Sequence, residues 1–130
     1  MSDSKAKINE KITCVAKSPN HGQVTGISGA YGYNISVLKQ WGSGNFHGGG
    51  QGQINSRDAR RFSNAVRDAE DEHLIGKRSA FSCAEVNAVT RLLYVGASLS
   101  EITVYSAKGS DGRFVNTCDA CQHWMDIIWG

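Results

Sequence analysis

Three cysteines and one glutamate are the residues of this sequence whose types and spacing could do chemistry together. Cys83 and Glu85 lie in the run Ser-Cys-Ala-Glu, and Cys118 and Cys121 form a C-x-x-C pair. Cysteine thiolates are zinc ligands, and three protein ligands leave the fourth position that a catalytic zinc needs for its water. Glu85, two residues after Cys83, can reach that water and act first as base and then as acid. The spacing therefore predicts a hydrolytic zinc site that releases an amine from an electron-poor ring carbon.

Both cysteine clusters are predicted to open helices, which would bring them together. Ser82 can cap a helix over 83–95 that ends at Gly96, and its apolar face consists of Val86, Val89, Leu92 and Leu93. A second, short helix is predicted to begin near Cys118. The positive end of a helix dipole favours the thiolate form of a cysteine. Two such helix ends converge when the strands before them lie side by side, so the metal is expected between the N-termini of the two helices.

Strands and helices are predicted along the rest of the chain. The predicted strands are 11–17, 23–28, 33–40, 101–108 and a closing strand 127–129; residues 29–32 form a hairpin turn, and a helix capped by Ser56 runs from Arg57 to about His73. The segment 42–53 is rich in glycine and is predicted to be a loop. The strand and helix order of the second half indicates an α/β sandwich whose sheet is at least partly parallel.

The two cysteine motifs also carry a family resemblance. The run Phe81-Ser-Cys-Ala-Glu-Val-Asn-Ala88, the strand Ile102-Thr-Val-Tyr105 and the pair Cys118-Asp-Ala-Cys121 resemble the cytidine-deaminase superfamily, whose usual signature is H-x-E followed by P-C-x-x-C. Within it they look like YwqJ-type deaminases of bacterial polymorphic toxins, over about residues 79 to 125. Thr117 stands where many relatives have proline.

The resemblance implies a fold and a role for each motif residue. The fold is a three-layer α/β/α deaminase-like sandwich with a compact mixed sheet, and zinc is held between the N-termini of two helices. Cys83 replaces the usual ligand histidine, Cys118 and Cys121 are the other zinc ligands, and Glu85 is the proton shuttle.

The expected activity is hydrolytic deamination of cytosine to uracil in single-stranded DNA, because an extruded base is easiest to supply from a single strand. Double-stranded DNA, RNA, adenine and free nucleosides stay open as substrates. The resemblance also implies a cognate immunity protein and delivery, as part of a larger bacterial toxin, into the cytoplasm of a target cell. From another class of function, a zinc-stabilised binding module without turnover stays open.

Contacts to the substrate are predicted for Asn45, Phe46, His47, Ala84 and Trp124. The first three lie in the glycine-rich loop, where backbone can approach a ligand and Phe46 offers a stacking face. An ordinary surface loop explains these three residues almost as well. Trp124 could form a wall of the base pocket, and core packing explains it equally; core packing is favoured for Trp129.

Simpler readings of the same motifs stay open. Ser82 and Glu85 have the spacing of a capping box, which only stabilises a helix start. A structural zinc site could be closed by Cys14 or by a histidine: His21, His47, His73 or His123. A redox pair at Cys118 and Cys121 is a further alternative. An arginine stripe on the helix from Arg57 could face phosphates, although the acidic residues that follow favour a solvated surface.

Length and composition set the outer limits. The chain has 130 residues, of which 40% are hydrophobic and 20% charged, with a formal net charge of +2. This predicts one soluble, monomeric domain over 1–130 with a frayed segment 1–10. The charge permits nucleic-acid binding without the strong basic excess of a dedicated binder. No run is long and apolar enough for a membrane span, and no signal peptide is recognisable.

Overall fold

The computed structural model describes residues 12–46, 54–72, 80–105, 107–109, 113–115 and 119–130. The strands are β1 (Ile12–Ser18), β2 (Gly22–Ile27), β3 (Thr103–Val104), β4 (Ala107–Gly109) and β5 (Phe114–Val115), and the helices are α1 (Tyr31–Gly42), α2 (Ser56–Glu72), α3 (Ala84–Tyr94) and α4 (Asp119–Trp129). Short 3-10 turns at Ala80–Ser82 and Leu99–Glu101 flank α3. The described residues therefore form a mixed α/β fold with a small sheet.

All described strand pairings in this sheet are antiparallel. The order is β2-β1-β4-β5, and β3 pairs with β1 on the same edge as β4. The prediction of parallel neighbours is therefore wrong for the described strands. The helix α3 does return the chain so that β2 and β3 run in the same direction, but β1 lies between them and is antiparallel to both.

The segment 33–40, predicted as a strand, is part of helix α1. Its buried residues Asn34, Leu38 and Trp41 recur at helical spacing. The segment 29–32 is not the predicted hairpin turn, because helix α1 begins at Tyr31. Gly29, with a φ of 86°, leads the chain from β2 into this helix. The hairpin joins β1 to β2 instead, where Gly22 has a φ of 83°. The alternation of Ile35, Val37 and Lys39 suggested a strand, and the helical period was not recognised because the buried Asn34 is polar.

The other helices agree better with the sequence. The predicted helices from Arg57 and from Cys83 are confirmed as α2 and α3, but their predicted caps are wrong. Asn55 Oδ1, and not Ser56, accepts from Asp58 N at the start of α2, and Cys83 is the N-cap of α3. The predicted closing strand 127–129 is wrong, because α4 continues to Trp129, and Cys121, Trp124 and Ile128 are buried at helical spacing. The predicted strand 101–108 is broken into a 3-10 turn, β3 and β4.

Helix α3 packs directly on the sheet. On β1 the buried side chains Cys14, Ala16 and Ser18 face the helix, whereas Thr13 and Lys17 are exposed on the other face. Gly26 of β2 lies so close beneath α3 that a Cβ there would collide with the backbone of Ala84 and Ala88. This close approach sets the depth at which the start of α3 sits above the sheet. None of the helices in the described ranges is long and apolar enough to cross a membrane.

Candidate metal centre and its cavity

Cys83 is the N-cap of helix α3. Its backbone is extended, with φ −72° and ψ 146°, and its carbonyl accepts a hydrogen bond from Asn87 N at 3.1 Å. Because Cys83 is the cap, Glu85 is the second helical residue, whereas a capping box requires a glutamate at the third. The capping-box reading of Ser82 and Glu85 is therefore wrong. A reciprocal cap of this kind forms instead between Ser98 and Glu101.

A chain of buried amides fixes the start of α3. Asn34 Nδ2 donates to Phe81 O at 2.7 Å, and Asn87 Nδ2 donates to Asn34 Oδ1 at 3.0 Å. Asn87 Oδ1 in turn accepts from Ile27 N at 3.0 Å. These bonds tie α1, the turn before Cys83, α3 and β2 together. Buried amides are satisfied in only one arrangement, so they position the site as well as stabilise it.

Cys121, in the first turns of α4, meets the start of α3. The ligand atoms of Cys83, Glu85 and Cys121 lie within 4.8 Å of one another, and all three residues are buried. Cys121 Sγ donates to Glu85 Oε1 at 3.8 Å. The predicted ligand Cys118 lies outside the described residues, immediately before Asp119 and the start of α4.

The donor set of this group fits a zinc ion. Two sulfur ligands of one tetrahedral zinc are about 3.8 Å apart, which is compatible with the clustering of these atoms. Burying a carboxylate beside two thiols is costly, and a bound cation offsets that cost. The described residues therefore form a possible metal site, as predicted for Cys83 and Cys121.

Cys14 is close to this group, but its thiol is bonded elsewhere. Its side chain packs against Ala84, and its thiol donates to Tyr105 O at 3.2 Å. Burial, with a further contribution from the Glu85 carboxylate, raises the pKa of Cys14 to about 12. The thiol therefore stays protonated near neutral pH, and Cys14 is a small buried residue of strand β1.

The described histidines have partners away from the cysteines. His21 Nδ1 is 3.8 Å from Glu101 Oε1, and His123 Nε2 is 2.8 Å from Asp68 Oδ2. His47 and His73 lie outside the described residues.

A cavity of about 340 Å³ opens beside Glu85. Its other lining residues come from β3 with its flanks and from α4: Ile102, Thr103, Val104, Tyr105, Met125 and Trp129. Small-molecule pockets begin at about this volume. A buried carboxylate at the wall of an open cavity is placed to exchange a proton with a bound molecule.

Met125 is a lining residue that the sequence analysis missed, and Trp129, for which core packing was favoured, lines the cavity as well. Trp129 is 39% exposed, and its ring is held by a hydrogen bond from Nε1 to Leu99 O at 3.0 Å. Cys121, Met125 and Trp129 are spaced four residues apart, so they follow one side of α4. This spacing was visible in the sequence, but assigning 127–129 to a strand concealed it.

The predicted substrate contacts are mostly elsewhere. Trp124 is fully buried, packed edge to face on Phe62 with ring centroids 5.1 Å apart, and Ala84 is buried against Cys14. Neither lines the cavity. Asn45 is exposed after α1, and Phe46 packs against the core with the Arg60 guanidinium 5.6 Å from its ring centroid. His47 is outside the described residues.

No protein-family model, curated protein or solved structure matches this chain. The resemblance to deaminases therefore stays a prediction from the motifs.

Proposed function

We propose that the protein is a zinc-dependent nucleobase deaminase that converts cytosine to uracil in single-stranded DNA. The observation that carries this proposal is the convergence of Cys83, Glu85 and Cys121 at the wall of an open cavity. Two helix starts meet there, as the cysteine motifs predict. A carboxylate in such a place can work on a ligand in the cavity.

In this proposal Cys83, Cys118 and Cys121 hold the zinc at the N-termini of α3 and α4, within a three-layer α/β/α sandwich. When bound, the ion supplies a Lewis acid that lowers the pKa of water toward neutrality. The helix dipoles favour the thiolate forms of the ligands.

Glu85 moves the protons of the reaction. It takes a proton from water as the new C–O bond forms at C4 of cytosine. It then delivers that proton to the amino nitrogen as the C4–N bond breaks, and the second proton of the water moves from the new hydroxyl to ring N3, so water and cytosine become ammonia and uracil. Cys121 Sγ lies 3.8 Å from Glu85 Oε1, so the carboxylate is next to a proposed zinc ligand.

Trp129 orients the base in the cavity. Its indole N–H is bound to Leu99 O, and its ring lies 5.9 Å from that of Trp124, so its position is fixed from two sides. Stacking on such a ring contributes about 1–3 kcal/mol per base and tolerates any base. Trp129 therefore holds a planar ring in place, while selection of cytosine falls to polar groups around Glu85.

The substrate and the biological setting rest on the sequence motifs. Single-stranded DNA is favoured because an unpaired base enters a cavity without the cost of opening a duplex. Action as a toxin domain, with an immunity protein that blocks the cavity, follows from the resemblance to toxin deaminases.

Glu85 is itself one of the three possible metal ligands. This favours one alternative function, a zinc-stabilised module in which Glu85 binds the metal and no reaction occurs. Glu85→Gln separates the two functions. We expect the variant to keep its zinc, measured by atomic emission, and to lose about a hundred- to ten-thousand-fold of its uracil formation. Glu72→Gln, which changes an exposed glutamate at the end of α2, is the matched control.

Loss of zinc from the Glu85→Gln protein would support the structural module instead. Zinc-loaded wild-type protein that is inert on single-stranded DNA, RNA, duplex DNA and cytidine would contradict a deaminase altogether.

A further inference from the structure

A second cavity adjoins the one that contains Glu85. It has a volume of about 380 Å³ and is lined in part by Lys17, Gln23 and Glu101. Thr103 and Tyr105 line both cavities. The chain around β3 is thus a shared wall between the proposed active site and this second space.

The two cavities lie on either side of that wall. Lys17 pairs with Thr103 in the sheet, so their side chains share the face that points away from α3. Ala16 and Val104 form the next pair and face the helix. A ligand that fills both cavities must therefore pass over the outer edge of β3, beside Tyr105.

A positive charge lies at this crossing point. Lys17 Nζ is 5.3 Å from the centroid of the Tyr105 ring, which belongs to both cavities. The one carboxylate among the residues described as lining the second cavity, Glu101, accepts hydrogen bonds from Ser18 Oγ at 2.7 Å and Ser98 N at 2.9 Å. These donors solvate the Glu101 carboxylate, which stays ionised, and the ammonium of Lys17 is the cation among the described lining residues that is placed to bind an anion.

We propose that the second cavity holds the nucleotide adjacent to the target cytosine, and that Lys17 binds the phosphate joining the two. This inference rests on the proposed function. In a single strand the linking phosphate lies between two neighbouring nucleotides, as Lys17 lies between two cavities. An ammonium binds phosphate as a point charge without reading the base. Lys17 thereby selects a polynucleotide over a free nucleoside.

The first test compares substrates of increasing length. With zinc-loaded wild-type protein, kcat/KM is expected to be at least about tenfold higher for a cytosine-containing dinucleotide than for cytidine, the gain of one charged hydrogen bond. Lys17→Gln should remove most of this gain and leave cytidine within about twofold, and Lys17→Arg should restore it. Lys39→Gln, at an exposed lysine on α1, is the control that should change neither substrate. Equal losses on cytidine and dinucleotide, or no preference for the dinucleotide, would overturn the proposal.

A second measurement does not need turnover. Fluorescence anisotropy of a short labelled single-stranded DNA should show weaker binding to Lys17→Gln than to Lys39→Gln, with a salt dependence reduced by about one phosphate contact. Unchanged binding would refute the subsite whether or not cytosine is deaminated. Weaker binding without any deamination would keep the subsite and refute the deaminase. The same comparison with RNA shows which sugar is accepted.

Discussion

Replacing Gly26 by alanine tests whether the depth of helix α3 determines the geometry of the candidate metal site. An added Cβ would lie 2.5 Å from Ala88 N and 2.8 Å from Ala88 Cβ, and it would also overlap Ala84 O. Normal contacts between such atoms are about 3.5 Å, so α3 must move away from β2 by about 1 Å. Two of the three opposing atoms belong to the backbone, so no side-chain rotation relieves the overlap.

The expected cost follows from this geometry. Overpacking of a rigid core contact lowers the free energy of unfolding by about 1–3 kcal/mol, or several degrees in Tm for a domain of this size. The displacement carries Cys83 and Glu85 away from Cys121, so zinc should bind more weakly as well. Urea unfolding measures the first effect, and competition with a chelator measures the second.

Gly32→Ala is the matched control for this substitution. Gly32 lies in α1, where an added Cβ would meet no atom within 4 Å apart from its own neighbours and the nearby helix backbone, so alanine there should stabilise the helix by about 0.5–1 kcal/mol and leave zinc binding unchanged. If Gly26→Ala unfolds like the wild type and retains full zinc affinity, the close contact between β2 and α3 does not set the site, and the reasoning from it is wrong.

Two further predictions concern Glu101 and Cys14. Hydrogen bonds from Ser18 and Ser98, with smaller contributions from His21 and Asn20, lower the pKa of Glu101. A lowered folded-state pKa means stability that is present above the unfolded pKa of about 4.3 and is lost as pH falls through the folded value. Glu101→Gln should therefore lower the free energy of unfolding measured with urea at pH 7, a difference that shrinks below pH of about 4; a constant difference across pH would contradict it. Cys14→Ser should keep one zinc per chain in metal analysis while lowering Tm, because the protonated Cys14 thiol is buried in the sheet; loss of zinc would make Cys14 a ligand.

The helices around the site were predictable because their apolar periods are long and regular. α2 and α3 begin within one residue of the predicted positions. Cys83 and Cys121 were expected at helix starts, and both lie there. In contrast, α1 was predicted as a strand because Ile35, Val37 and Lys39 alternate. Its buried helical stripe includes the polar Asn34, whose amide bonds to the distant Phe81 and Asn87. Contacts of this separation leave no local pattern in the sequence.

The pairing of the strands was less predictable, because the sequence does not indicate that β1 lies between β2 and β3 in the sheet. The path from β2 through α3 to β3 does give two strands of the same direction. The short strands β3 and β4 then pair with opposite ends of β1, which no alternation in 101–108 indicates. Strand direction follows from the chain connection, whereas neighbour choice follows from tertiary packing.

Helix α4 shows why one wrong boundary altered the predicted substrate site. With 127–129 as a strand, Trp129 belonged to a separate element and Trp124 was the aromatic residue nearest the cysteines. As one helix to Trp129, α4 turns Trp124 into the core against Phe62 and places Met125 and Trp129 along the cavity. In the proposed function, the same helix therefore supplies a metal ligand at its start and a stacking surface at its end. A shift of α4 would move both together, so zinc binding and base binding are expected to be coupled through this one rigid element.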